Sequence, residues 1–278
     1  MPEGPEIRRS MDKVAAAVSG RVAERVVFGL DRHKPYEGEL SGRQVESVTA
    51  RGKAALVHFA GRHGDAGWTV YSHNQLYGKW RTGSAAREPK TSRQLRFAIY
   101  GAKRAARLYS ASDIRIVRPD DVDSIDYIAR LGPDPVNQAL DAADIAGQFD
   151  DRRFAGRNLG GLLLNQAFVA GIGNYLRSDI LHQAGIHPAR KPRELHEDER
   201  QRLIHALLEL PVQAYELAGI TNDPQRAARM KEEGVSFGAR RHLAFTREGK
   251  PCYGCGTRIE RFVQGGRRIY LCPVCQPD

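Results

Sequence analysis

Gly171-Ile172-Gly173-Asn174-Tyr175-Leu176-Arg177 decides how this 278-residue chain is read. Two glycines give a tight turn, and Asn174 stands at a helix start as its N-cap, with backbone N–H groups turned outward. That combination suits a phosphate. It suits equally an ordinary capped helix–turn–helix packing element. Around it the sequence is helical: residues 136–149, 162–170, 174–184 and 197–217 carry helix-like apolar spacing or strong helix formers. Residues 221–242 are polar, basic and contain glycine, and read as a mobile connector.

Toward the N-terminus the helical pattern stops at Gly132-Pro133-Asp134-Pro135, a turn-rich break that marks a domain boundary. Before it lie six short β-like segments, 21–28, 44–49, 54–59, 68–73, 95–100 and 106–109. Such close spacing argues for an antiparallel sandwich or barrel. Residues 5–18 place Ile7, Met11, Val14, Ala15 and Val18 on one helical face, with Gly20 as a stop signal. The expected fold class is therefore α+β. A helix and an antiparallel β-sandwich occupy 1–131, a helical domain 132–242, and a cysteine-bearing unit 243–278.

All four cysteines fall in that last unit, as Cys252-x-x-Cys255 and Cys272-x-x-Cys275 with 16 residues between the pairs. Two such pairs match a four-thiolate structural zinc site, so one Zn2+ is expected. Two disulfides or a redox pair are the weaker readings, given a reducing compartment and no thioredoxin-like context. No run of about 18 apolar residues suggests a membrane span. The start has neither a basic n-region nor an apolar h-region, so the cytoplasm is the default compartment. Lys and Arg number 43 against 33 Asp and Glu, a formal +10. That field favours a polyanion, nucleic acid ahead of membrane, although a merely basic soluble protein has the same charge.

Two more stretches carry chemistry. Met1-Pro2-Glu3-Gly4-Pro5-Glu6 would expose a secondary amine at Pro2 once Met1 is removed. An α-amino group titrates near pH 8, so a useful fraction is unprotonated at neutrality, and Glu3 and Glu6 stand beside it to handle protons. The blander reading is a polar start with Pro5 entering a helix. Tyr71-Ser72-His73-Asn74-Gln75-Leu76-Tyr77-Gly78 reads as a strand running into a loop that displays an amide, an aliphatic and an aromatic side chain. That trio can fill a duplex vacated by a flipped nucleotide, or Leu76 can simply be core.

These stretches, with Arg51-Gly52-Lys53, occur in the order seen in the formamidopyrimidine-DNA glycosylase and endonuclease VIII family, which the chain resembles over nearly its whole length. Ser72–Gly78 and Gly171–Arg177 are similar to the bacterial endonuclease VIII branch. The resemblance implies a helix-two-turn-helix domain with a zinc ribbon, acting as a monomer on double-stranded DNA with a damaged base or abasic site. It implies Pro2 as Schiff-base nucleophile, Glu3 as the acid at the deoxyribose ring oxygen, and Glu6 as a supporting carboxylate. Lys53 would contact phosphate beside the lesion and assist β-elimination, and Gln75, Leu76 and Tyr77 would fill the void. Arg130 and Asn174 would hold the backbone, and Arg267 would reach the phosphates from the finger and assist δ-elimination.

The implied activity is excision of oxidised pyrimidines followed by β,δ-elimination. A formamidopyrimidine or 8-oxoguanine preference is the alternative within the family, and a non-catalytic zinc-finger DNA binder the rival outside it. Gly265-Gly266 independently suggests a tight turn that sets Arg267 at a hairpin tip, where a guanidinium suits bidentate phosphate contact. One departure stands out. The family's usual Glu, five residues after the motif Asn, is here Asp179, whose shorter reach puts any support of the N-terminal amine in doubt.

Overall fold

The computed structural model describes residues 2–62 and 64–278, so the fate of Met1 lies outside the described residues. Those residues fall into two compact units, one of Pro2 with Glu6–Arg130, the other of Glu3–Pro5 with Leu131–Asp278.

The first unit holds all but the first two residues of helix α1 (Gly4–Val18), whose Ile7, Met11, Val14 and Val18 are buried as the apolar spacing requires. Strand β1 (Arg25–Phe28) and the short helix α2 (Tyr36–Leu40) follow. Then come β2 (Val45–Arg51), β3 (Ala54–Phe59), β4 (Trp68–His73) and β5 (Lys79–Ser84). Strands β6 (Leu95–Tyr100), β7 (Arg104–Tyr109) and β8 (Asp113–Val117) complete two antiparallel four-stranded sheets, ordered β1-β6-β7-β5 and β2-β3-β4-β8. Phe28 and Phe97 stack at 4.9 Å in a core that also holds Val57, Phe59, Val70 and Leu108. A one-turn helix, α3 (Asp126–Ala129), closes the unit.

Strands β3, β4 and β6 have the bounds expected of the β-like segments 54–59, 68–73 and 95–100. The sequence pattern misses β5 and β8, and both lie at sheet edges. Each fully buries a single residue, Trp80 and Ile114 respectively, and each is short and rich in polar residues, as edge strands can be.

In the second unit, α4 (Ala142–Asp150), α5 (Arg152–Ala155) and α6 (Leu159–Leu162) lead to α7 (Asn174–Ala184) and α8 (Glu197–Glu216). Two expected helices change. The one sought over 136–149 starts at Ala142, because Asp141 and Asp144 form a capping box there. The one sought over 162–170 is absent. Asn165 Oδ1 takes the Ala167 N–H, while the Gln166 side chain bonds Leu164 O, Ile172 O and the Gly171 N–H. These local bonds replace a helical ladder, and Leu163, Phe168 and Val169 are buried in turns.

Residues 221–242 correct a second expectation. They form α9 (Pro224–Glu232) and α10 (Phe237–Arg240), and Thr221, Asn222 and His242 are buried. Buried Asn222 donates to Arg240 O and accepts from the Arg226 side chain, so a polar stretch is ordered by its own amide. The chain ends in a hairpin, β9 (Glu260–Gln264) and β10 (Arg267–Leu271), between the two cysteine pairs. Ile269 joins the helical core.

Candidate active site and nucleic-acid interface

In the second unit the start of α7 is occupied. Glu3 Oε2 accepts the N–H groups of Gly173 at 2.8 Å and Leu176 at 3.3 Å, and Oε1 that of Tyr175 at 2.9 Å. The Gly4 N–H bonds Gly171 O at 2.8 Å. Both glycines of the motif are needed for this approach. Gly171 has φ +83°, and a Cβ on Gly173 would fall 2.3 Å from the Glu3 carboxyl carbon.

Two expectations change accordingly. The N-cap is Gly173, not Asn174, and the outward N–H groups hold a carboxylate of the chain itself rather than standing open for phosphate. Glu3 supplies the negative charge that a helix N-terminus favours.

Asn174 instead faces the hairpin. Its Nδ2 donates to Arg268 O at 2.9 Å, and its Oδ1 accepts from Arg177 Nη2 at 2.5 Å. Fully buried Arg177 also donates to Gly160 O and Arg268 O. Burial, and then the nearby charge of Arg267, bring its guanidinium down to about 10. Arg177 has no task implied by the sequence motif, although its place three residues after Asn174 puts the two on one helix face. Gly265 and Gly266, at φ +58° and +74°, make the β9–β10 turn, and Arg267 follows it, exposed.

Asp179 is fully buried on α7. Its Oδ2 accepts from Thr221 Oγ1 at 2.5 Å and lies 3.1 Å from His242 Nδ1, and its Oδ1 accepts the N–H groups of Ala244 and Phe245. Burial pushes this carboxyl up, yet the bonds from His242, Thr221 and Ala244 prevail and hold it below its ordinary value. The carboxylate thus ties α7 to the segment that enters the cysteine unit. Thr221 and His242 lie in the polar stretch 221–242, whose composition gives no sign that they meet Asp179.

Cys252, Cys255, Cys272 and Cys275 bring their four Sγ atoms within 4.8 Å of one another. A tetrahedral ion with metal–sulfur bonds of about 2.3 Å needs sulfurs about 3.8 Å apart, and Cys252 and Cys275 are at 3.8 Å. The four cysteines can hold a metal ion.

In the first unit, Pro2 and Glu6 are half-buried. Gly52, at φ +58°, turns β2 into β3 and carries buried Lys53, whose backbone N–H donates to Tyr127 Oη at 2.8 Å. After β4 the chain makes a turn through Gln75, at φ +50°, that leaves Leu76 65% and Tyr77 70% exposed. Leu76 is therefore not core. His73 Nδ1 accepts the Gln75 N–H at 3.1 Å, and burial, with Lys53 nearby, lowers the imidazole's affinity for a proton, as an accepting Nδ1 requires. Arg130 is exposed at the end of α3, 3.9 Å from Asp126.

A β-sandwich unit with an exposed aliphatic–aromatic turn, and a helical unit with a four-cysteine hairpin, define the architecture of a DNA glycosylase. Sequence comparison agrees. The chain matches the formamidopyrimidine-DNA glycosylase N-terminal domain over residues 1–115 and the formamidopyrimidine-DNA glycosylase H2TH domain over residues 131–225. It is 42% identical over 276 residues to "Endonuclease 8" of Klebsiella pneumoniae subsp. pneumoniae, and 40% identical to that of Escherichia coli K12, covering 99% of this chain and 100% of each relative. In fold it is similar to Lactococcus lactis Fpg in complex with DNA containing N7-benzyl-Fapy-dG, with TM-score 0.81, 21% identity and full coverage of both chains. It is likewise similar to Lactococcus lactis Fpg with DNA containing an abasic site, with TM-score 0.79, 21% identity and coverage of 99% of this chain and 100% of that one. The chain belongs to the formamidopyrimidine-DNA glycosylase family, the glycosylase and abasic-site lyases of base excision repair. Among the described residues, no helix is long and apolar enough to cross a membrane.

Proposed function

We propose that this enzyme excises oxidised pyrimidines from double-stranded DNA and cleaves the strand by β,δ-elimination, with Pro2 as its covalent nucleophile. The observation that carries the reading is the anchoring of Glu3, whose carboxylate takes three backbone N–H groups and fixes the residue that follows Pro2. A chain start held this firmly suits a terminal amine that must meet one carbon atom.

With Met1 removed, the secondary-amine nitrogen of Pro2 forms a bond to the sugar C1′ and gives up its proton, while the glycosidic bond breaks with its electron pair on the base, which takes up a proton. Glu3 serves the ring oxygen that accepts a proton as the sugar opens, and Glu6 supports these transfers. The iminium between Pro2 and C1′ is cationic without an added proton, so loss of a C2′ proton expels the 3′ phosphate, and a second elimination expels the 5′ phosphate. Lys53 contacts the phosphate beside the lesion and assists β-elimination, Arg130 and Asn174 hold the DNA backbone, and Arg267 reaches the phosphates and assists δ-elimination. Gln75, Leu76 and Tyr77 fill the stack that the everted nucleotide leaves. Zn2+ on Cys252, Cys255, Cys272 and Cys275 gives rigidity to 243–278, a module in its own right beside the helical 132–242 and the catalytic 1–131. Four thiolates leave no open coordination position, so its task is structural.

Borohydride trapping on abasic duplex DNA, followed by mass spectrometry, tests the reading. The adduct is expected on residue 2; an adduct on Lys53, or none, overturns it. A glycosylase assay across single-lesion duplexes tests the pyrimidine preference.

A further inference from the structure

The turn that carries Leu76 and Tyr77 is held from outside its own sequence. Arg93 Nη1 donates to the Tyr77 carbonyl at 2.6 Å, and Ser112 Oγ donates to Gln75 Oε1 at 2.9 Å. Arg93 lies near the end of residues 84–94, which lead from β5 to β6 and are polar and mostly exposed. This stretch is nevertheless fastened down. Arg107 on β7, with no exposed surface, donates from Nη2 to Ser84 O at 3.1 Å, Arg87 O at 3.3 Å and Glu88 Oε1 at 3.3 Å. Its Nε lies 3.0 Å from Glu88 Oε2, and Tyr100 Oη donates to Glu88 Oε1 at 2.7 Å. The Arg107 and Arg25 guanidiniums lie 4.9 and 4.2 Å from the Tyr100 ring centre. A buried guanidinium is expensive unless paired, and neither the chemistry nor the DNA contacts above use this one.

We propose that residues 84–94 form a strap, pinned by Arg107, and that Arg93 at its end is a positioning residue for the void-filling turn. The proposal rests on the reading of Gln75–Tyr77 as that turn. Its physical basis is preorganisation. Two large apolar side chains held in water have no core contacts to fix them, and an unsupported turn with Gln75 in the left-handed region spreads over other conformations. A donor on the Tyr77 carbonyl narrows that spread before DNA arrives, so less ordering remains for the moment of insertion.

The test measures kcat/KM for Arg93→Ala, Arg93→Lys, Leu76→Ala and Tyr77→Ala. Each acts on a lesion in duplex DNA and on an abasic site in single-stranded DNA, where there is no stack to fill. Arg93→Ala should lose about tenfold on duplex, the fold-change of one charge-assisted hydrogen bond. It should keep its single-strand activity, its melting temperature and its salt slope of binding, and Arg93→Lys should recover most of the loss. Unchanged duplex activity in Arg93→Ala, beside a loss in Tyr77→Ala, overturns the strap and leaves the void-filling reading standing. Unchanged duplex activity in both Leu76→Ala and Tyr77→Ala overturns that reading, and the strap with it. An equal loss on both substrates, or a salt slope smaller by about one unit, makes Arg93 an ordinary phosphate contact and overturns the proposal.

Discussion

Glu3 Oε2 accepts the backbone N–H of Gly173 at 2.8 Å, joining two residues 170 positions apart at the first turn of α7. With Tyr175 and Leu176, three donors meet two oxygens of one carboxylate. Glu3→Gln keeps the shape but leaves one acceptor oxygen, and turns its NH2 toward a backbone N–H. An unpaired buried donor costs about 1–3 kcal/mol, so Glu3→Gln should unfold at lower denaturant concentration as well as lose glycosylase activity. An inactive variant with wild-type stability would show that these bonds do not anchor the chain.

Asp179 gives stability a pH dependence. Burial raises its carboxyl, but His242, Thr221 and the Ala244 N–H outweigh burial and depress it. A depressed native value means that the unfolded chain binds the extra proton first as pH falls. The contribution of Asp179 is thus fully present above the ordinary carboxylate range, near pH 4, and is lost as pH falls below it. Asp179→Asn should cost about 1–3 kcal/mol at pH 7 and distinctly less at pH 3, measured by urea unfolding. An equal loss at both pH values contradicts this linkage.

The sequence showed most where one element decides its own structure. The short apolar runs of β3, β4 and β6 carry their burial in their own residues. The misreadings share a different cause: a partner far away in the chain, or a side chain bonding its own backbone. Asn174 looked like a cap because the true occupant of that helix start is Glu3. Asp179 looked like a weakened support for the amine because His242 and Thr221 lay in a stretch read as a connector. The four cysteines were legible because spacing and residue type alone carry their chemistry, whereas the exposure of Leu76 was not, since an aliphatic residue after a strand reads equally as core.

Removing the metal should separate two parts of the hairpin. Ile269 sits in the helical core, and Asn174 and Arg177 both bond Arg268 O, so the base of β10 has support that needs no zinc. The Cys252–Cys255 and Cys272–Cys275 turns have lighter support, His182 Nε2 lying 3.3 Å from Cys252 Sγ and Gln276 donating to Ile186 O, and without an ion their four Sγ atoms crowd within 4.8 Å of one another. Chelation should therefore leave the far-ultraviolet circular dichroism of the β-sandwich and helices largely intact while weakening DNA binding at least tenfold. Full affinity in verified metal-free protein would refute a structural role for the ion.

Arg267 and Arg268 provide the sharpest separation, because neighbours on a strand point to opposite faces. Arg268 pairs with Val263, which is 67% exposed, and its backbone carbonyl is engaged by Asn174 and Arg177. Arg267 pairs with Gln264 beside the Gly265-Gly266 turn, and its charge is the one that bears on buried Arg177. If Arg267 is the phosphate contact, Arg267→Ala should lower the magnitude of the salt slope of DNA binding by about one unit. Glycosylase activity should fall steeply, because base expulsion needs the duplex held around the everted nucleotide. The imine trapped on a pre-formed abasic site should suffer less, since no base remains to be expelled. Arg268→Ala should change neither quantity by much, its side chain lying on the other face. An unchanged salt slope and glycosylase rate in Arg267→Ala, beside an impaired Arg268→Ala, would place the phosphate contact on the opposite face of β10.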